Sequence, residues 1–251
     1  GQVNRFDTAL AELDGDGRLD IAVTPSGLGD TGIVVVFRNQ TSTGSMTPSV
    51  SSAQNVSTGG MPRKIVAVDL DGDGRPELVY ANNTTAVGNA DKIAVLRNIS
   101  VSGTISFDVK QNVAVGKTPR GIAAGDLDGD GKADLAVCNA ATTTVSILKN
   151  RSTVGTISLT TDVTLTGLSS PNEVSIGDFD GDSKPDLAVA NNGGSTVSFF
   201  RNSNTVTGTM SFTPTASLTF TTGSSPYGLA IGDVDGDGKI DLAVANQGTN
   251  R

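Results

Sequence analysis

Five nine-residue stretches hold most of the carboxylates of this chain and place them at the same offsets each time. They read ELDGDGRLD from Glu12, DLDGDGRPE from Asp69, DLDGDGKAD from Asp126, DFDGDSKPD from Asp178 and DVDGDGKID from Asp233. Numbered 1 to 9, each has acids at positions 1, 3, 5 and 9. In chain order these are Glu12, Asp14, Asp16, Asp20; Asp69, Asp71, Asp73, Glu77; Asp126, Asp128, Asp130, Asp134; Asp178, Asp180, Asp182, Asp186; and Asp233, Asp235, Asp237, Asp241. Carboxylates at ~5 Å spacing repel by roughly 3 kcal/mol per pair at an effective dielectric of about 20, so a loop this tight needs a cation.

The donor set suits a hard divalent ion. Four carboxylates, water and the backbone carbonyl at position 7, contributed by Arg18, Arg75, Lys132, Lys184 and Lys239, supply the roughly six to eight oxygens that calcium takes. Magnesium demands near-ideal octahedral geometry, and a chain with no His and one Cys offers no soft ligand set. The expected cofactor is therefore Ca2+, up to five ions. Gly at position 4, and at position 6 in four copies, allows the positive-φ turns that curl a chain around an ion; Ser183 takes position 6 in the fourth copy. Asp-Gly pairs are also ordinary turn signals, and it is the recurrence of identical offsets that points to metal. An EF-hand is excluded, because position 12 is Val23, Tyr80, Val137, Val189 or Val244 where that motif needs Glu.

Strands must position these loops. The exits DIAVTP, ELVYAN, DLAVCN, DLAVAN and DLAVAN are short apolar runs ending at Pro or Asn, which read as buried strands. A first strand precedes each loop, as in RGIAAGD from Arg120, and usually opens at a proline: Pro62, Pro119, Pro171 or Pro226, with Arg5 in the first copy. A third strand is expected at IVVVFRN, KIAVLRN, TVSILKN and TVSFFRN, and a half-exposed fourth at GTISFDVKQNVAV from Gly103, GTISLTTDVTL from Gly155 and GTMSFTPTASL from Gly208. Loop starts lie 57, 57, 52 and 55 residues apart, a period that signals a repeat architecture with units beginning near 5, 62, 119, 171 and 226. A helix-free unit of four strands matches one blade of a β-propeller.

The five DxDGDGxxD loops, with the IAxGD lead-in and DLAVAN exit, resemble the FG-GAP or VCBS repeats of integrin-α-like propellers in bacterial secreted and cell-surface proteins. The resemblance implies an all-β propeller, seven-bladed in its best-known form, with calcium in the loop joining the first two strands of each blade. It also implies a role in adhesion, carriage or substrate binding. Residues 1–251 read as one such propeller region. Between Phe6 and Asn246 the chain holds four full units and the first two strands of a fifth, a count that closes no ring and leaves two sheet edges. The expectation is a piece of a larger propeller, completed by further sequence or by another chain.

Composition bounds the rest. With aromatics at 4%, no Trp and 31 Gly, the core must be built from Val, Ile, Leu and Ala. The formal charge of −8 belongs to the loops and is offset by bound ions; no basic stripe interleaved with aromatics suggests nucleic acid. No apolar run is long enough for a membrane span. Cys138 aligns with alanines and reads as a packing residue. Loops of modest calcium affinity work where calcium is near millimolar, so the expected location is extracellular or the cell surface.

No catalytic residue is expected: there is no His for a triad or general base and no nucleophile elbow, and the clustered acids are committed to metal. Arg38, Arg97, Lys149 and Arg201 each end a third strand and precede Asn, which suggests a blade-to-blade contact; the sequons at Asn39, Asn55, Asn82, Asn83, Asn98 and Asn150 read as chance in a Ser/Thr-rich chain. The reading is a noncatalytic, calcium-stabilised extracellular scaffold for adhesion or protein interaction, with a protein or glycan partner at the cell surface. The alternatives are a carbohydrate-binding propeller domain of a secreted polysaccharide-active enzyme, for which Tyr227 and Phe6 are the aromatic candidates, and a calcium-loaded rim that holds an acidic partner by charge.

Overall fold

The computed structural model describes residues 7–25, 32–45, 47, 49–51, 53–83 and 91–248. Arg5 and Phe6 lie outside the described residues. Among those described there is no helix, and none therefore long and apolar enough to cross a membrane.

Each repeat folds as an antiparallel meander. The first sheet orders β1 (Asp7–Ala11), β2 (Asp20–Thr24), β3 (Ile33–Phe37) and β4 (Gln54–Ser57). The second holds β5 (Pro62–Val68), β6 (Glu77–Asn82), β7 (Lys92–Leu96) and β8 (Gln111–Ala114). The third holds β9 (Pro119–Gly125), β10 (Asp134–Asn139), β11 (Thr144–Asn150) and β12 (Leu159–Leu165). The fourth holds β13 (Pro171–Gly177), β14 (Asp186–Asn191), β15 (Thr196–Phe200) and β16 (Leu218–Thr221). The fifth has β17 (Pro226–Gly232) and β18 (Asp241–Asn246) alone. The prolines open the first strands as expected, where a missing N–H costs no ladder bond.

The chain divides into two compact units, residues 1–114 with 152–157, and residues 115–151 with 158–251. In the first, the core lies between two sheets and joins Ala22, Val34 and Val36 to Ile65, Leu78, Tyr80 and Leu96. In the second, Ala136, Cys138, Val145 and Ile147 meet Val174, Leu187, Val189 and Phe200 in the same way. Small side chains let the sheets approach closely: a Cβ on Gly121 would stand 2.7 Å from the Asn172 carbonyl oxygen. Cys138 is fully buried and its thiol is pushed well above its ordinary range, chiefly by burial, which fits a packing role.

The outer strands depart from expectation. The Gly103, Gly155 and Gly208 segments do not open strands; these glycines sit at φ of +79°, +81° and +81° in tight turns such as Val101 to Thr104. The outer strands form later, β8 from Gln111 and β16 from Leu218, because a left-handed residue cannot continue a ladder and Pro214 removes a donor.

Candidate metal centres

Each acidic stretch joins the first and second strands of its sheet and folds in nearly the same way. Where position 1 is Asp, its two oxygens accept backbone N–H groups from positions 4 and 6, as Asp126 does from Gly129 and Gly131 at 2.8 Å each. Glu12, one carbon longer, instead gathers Asp14, Gly15 and Asp16 on one oxygen. The left-handed turns behind this are supplied by Gly129 and Gly131 at φ +76° and +85°, and in the fourth stretch by Gly181 and Ser183 at +79° and +66°.

Position 9 is the inner wall. One of its oxygens accepts the N–H of position 2, at 3.0 Å from Leu13 to Asp20, 2.7 Å from Leu70 to Glu77 and 3.0 Å from Leu127 to Asp134. The other accepts the N–H of the Asn at or just past the end of the third strand, 2.7 Å from Asn39, 2.8 Å from Asn150 and 2.7 Å from Asn202. Burial is the main force raising this carboxyl above its ordinary range, to about 7 for Glu77 and about 6 for Asp134; the two backbone donors oppose it, and the acids at neighbouring positions add to it. Asp20 and Asp186 shift the same way for the same reasons.

Positions 1, 3 and 9 converge in every copy: Glu12, Asp14 and Asp20; Asp69, Asp71 and Glu77; Asp126, Asp128 and Asp134; Asp178, Asp180 and Asp186; Asp233, Asp235 and Asp241. In each group one oxygen per residue lies within 4.8 Å of the others. In the first four groups the position-9 acid is buried and in the fifth it is half-exposed; hard, like-charged oxygens gathered in this way are what a divalent cation discharges, so the residues fit a metal ion. Position 5 does not join these groups. Its carboxylate turns to cations: Asp16 to Arg18 and Arg38, each at 2.9 Å, Asp73 to Arg75 at 2.5 Å, Asp182 to Lys184 at 3.3 Å and Asp237 to Lys239 at 3.2 Å. Its other oxygen accepts the position-7 N–H, 3.0 Å from Lys132 to Asp130.

The Arg/Lys-Asn pair at the third-strand ends divides the work. The expected link between sheets falls to the Asn: Asn98 Nδ2 donates to Pro76 O in its own loop at 3.2 Å and to Leu13 O in the preceding one at 2.9 Å. Asn202 repeats this with Pro185 O and Leu127 O. The basic residue turns instead to its own loop: Arg38 to Asp14, Lys149 to Asp128, and Arg201 to Asp180 at 2.5 Å. Each such carboxylate raises the proton affinity of its cationic partner. The sequons also gain a structural meaning, because Asn39 and Asn98 fold back as Asx turns that accept the N–H of Thr41 and Ser100.

Sequence reasoning missed the covers. The glycine turn of the following repeat lies over a loop, with Gly103 N–H on Asp14 O at 3.3 Å, Gly155 N–H on Asp71 Oδ2 at 2.8 Å and Gly208 N–H on Asp128 O at 2.8 Å. The recurring Gly-Thr dipeptide was its signal. Tyr227, one of the two aromatic candidates, is half-buried.

Comparison with known proteins agrees with this construction. No curated protein matches the chain. Two crystal structures of BBS1N in complex with ARL6DN, one soaked with mercury and one with lead, match with TM-scores of 0.58 and 0.59 at 13% identity, covering 97% and 98% of this chain. The chain spans 61% and 63% of the length of those chains. The likeness is one of fold and bears out a β-propeller of four-stranded blades, four complete and one of two strands. The description FG-GAP-like repeat matches residues 13–80 and 178–244, more than half of the sequence, and FG-GAP repeat matches 118–148. Together with loops built alike five times over, this makes the chain a member of the FG-GAP-like repeat family.

Proposed function

We propose that this chain is a noncatalytic scaffold that works outside the cell, stiffened by calcium in its acidic loops and presenting its blades to a protein partner. The observation that carries the reading is the fivefold convergence of the carboxylates at positions 1, 3 and 9. The position-5 acids and the position-7 carbonyls of Arg18, Arg75, Lys132, Lys184 and Lys239 would supply further oxygens to an ion held there. Calcium there offsets carboxylate repulsion and clamps the turn between the first two strands, so that stability follows free calcium by mass action. Extracellular calcium modules work with dissociation constants on the order of 10⁻⁴–10⁻³ M, and loops of this kind are suited to surroundings where calcium is abundant. A protein partner accords with the BBS1N structures, which hold ARL6DN.

Thermal melts in millimolar calcium and in EGTA test it. Several sites, each contributing on the order of 1 kcal/mol, raise the melting temperature by at least ~5 °C in calcium. Equal melting temperatures in the two buffers overturn the reading.

A further inference from the structure

Three of the four third-strand cations sit on an acid of their own loop, and one does not. Arg38 bonds Asp14, Lys149 bonds Asp128 and Arg201 bonds Asp180, in each case the position-3 acid of the candidate metal group. Arg97 bonds Asp108 at 2.9 Å instead. The corresponding loop oxygen, Asp71 Oδ2, accepts the uncharged Gly155 N–H, and among the described residues Asp71 forms no salt bridge.

One residue accounts for the difference. Asp108 lies across the strand from Arg97, its N–H donating to Arg97 O at 2.9 Å. At the same place Ser51 faces Arg38, Thr160 faces Lys149, and Thr213 follows the Asn202–Phe212 bridge beside Arg201. With a hydroxyl opposite, the cation bonds the position-3 acid; with Asp108 opposite, Arg97 bonds that carboxylate and keeps only a through-space attraction to Asp73 of its loop.

We propose that Asp69–Glu77 is the tightest cation site of the chain because Asp108 draws Arg97 away, while Arg38, Lys149 and Arg201 act as resident counter-charges that weaken the sites they occupy. The inference rests on the calcium reading and adds a ranking to it. A unit charge bonded to a ligand carboxylate repels an incoming divalent ion through a partly buried medium, and a penalty on the order of tenfold in affinity is expected after solvent screening. Among the described residues Asp233–Asp241 also lacks such a cation, but its acids are exposed or half-exposed and its position-9 acid accepts a single N–H, from Val234, so the loop is less well organised for an ion.

Calorimetric calcium titrations of the full chain, with terbium luminescence as a second readout, test the ranking. The unaltered chain shows one step tighter than the rest. Asp108→Thr weakens that step about tenfold, and Arg97→Met added to it restores the affinity, which separates the diverted cation from the lost carboxylate. Lys149→Met tightens one of the weaker steps by a similar factor, with an unchanged far-UV spectrum confirming the fold. Titrations that are superimposable across these variants, with ions still bound, overturn the inference and leave the calcium reading standing. No binding in any variant overturns both.

Discussion

The hexapeptide DLAVAN occurs twice, as Asp186–Asn191 in β14 and as Asp241–Asn246 in β18, and folds to nearly the same backbone with very different surroundings. Both copies pair antiparallel with a proline-led first strand in one register: Gly177 faces Asp186 and Pro171 faces Asn191, as Gly232 faces Asp241 and Pro226 faces Asn246. Both leave acidic loops held by the same bonds, with position-1 oxygens accepting from Gly181 and Ser183 at 2.7 and 2.8 Å and from Gly236 and Gly238 at 2.7 and 2.9 Å. Yet every residue of β14 is buried and none of β18 is. Among the described residues β18 has no third strand, whereas β14 carries β15. Identical sequence thus specifies the hairpin and its loop locally, while burial is conferred by the neighbouring strand and sheet.

The widest separation between the copies is expected in the core. Leu187→Ala removes a side chain with 0% exposure that packs among Cys138, Val174 and Phe200, and should cost about 2–5 kcal/mol. Leu242→Ala at the matching position of β18 should cost clearly less, about 1–2 kcal/mol, since that side chain is only half-buried. Urea unfolding midpoints measure both, and equal costs would break the contrast.

The position-9 acids come next. Asp186 accepts N–H groups from both Phe179 and Asn202, and Asp186→Ala leaves one buried and one part-buried donor without an acceptor, at roughly 2–3 kcal/mol. Among the described residues Asp241 accepts from Val234 alone, so Asp241→Ala should cost about 1 kcal/mol or less. Urea unfolding in EGTA keeps metal loss out of the comparison. Asn202→Ala, which removes the donors to Pro185 O and Leu127 O and the acceptor of the Asn204 N–H, should fall between, at about 1–2 kcal/mol, and sets an upper bound on what one sheet-to-sheet link contributes.

This division also governs what the sequence discloses. The loops and first two strands were legible because their determinants lie within a few residues: the acid offsets, the glycines, the leading proline and the apolar exit. The turns at Gly103, Gly155 and Gly208 were not, because Ser/Thr alternation fits an exposed strand and an irregular edge equally well. What decides there is the following repeat's turn docking on a loop, as Gly208 N–H does on Asp128 O. The Arg-Asn pair was visible as a repeated contact, but that Asn spans two sheets while the cation turns inward emerges only from strand register. Asp108 was one of the six acids outside the loops, and its importance comes from standing opposite Arg97.

The smallest expected effect bears most directly on whether loop geometry is local. Position 6 is Ser183 at φ +66° in the fourth stretch and Gly238 at φ +82° in the fifth. A left-handed serine costs on the order of 1 kcal/mol, and glycine relieves it at the expense of a more flexible unfolded chain, so Ser183→Gly should stabilise by ~0.5–1 kcal/mol. A Cβ at Gly238 meets nothing within 4 Å, which leaves backbone strain as the main consequence of Gly238→Ser. If each nine-residue stretch sets its own conformation, the two substitutions should be nearly equal and opposite in EGTA, despite the difference in burial around them. A Gly238→Ser change that costs nothing, with Ser183→Gly still stabilising, would mean that the exposed loop relaxes out of the left-handed turn when no neighbour holds it.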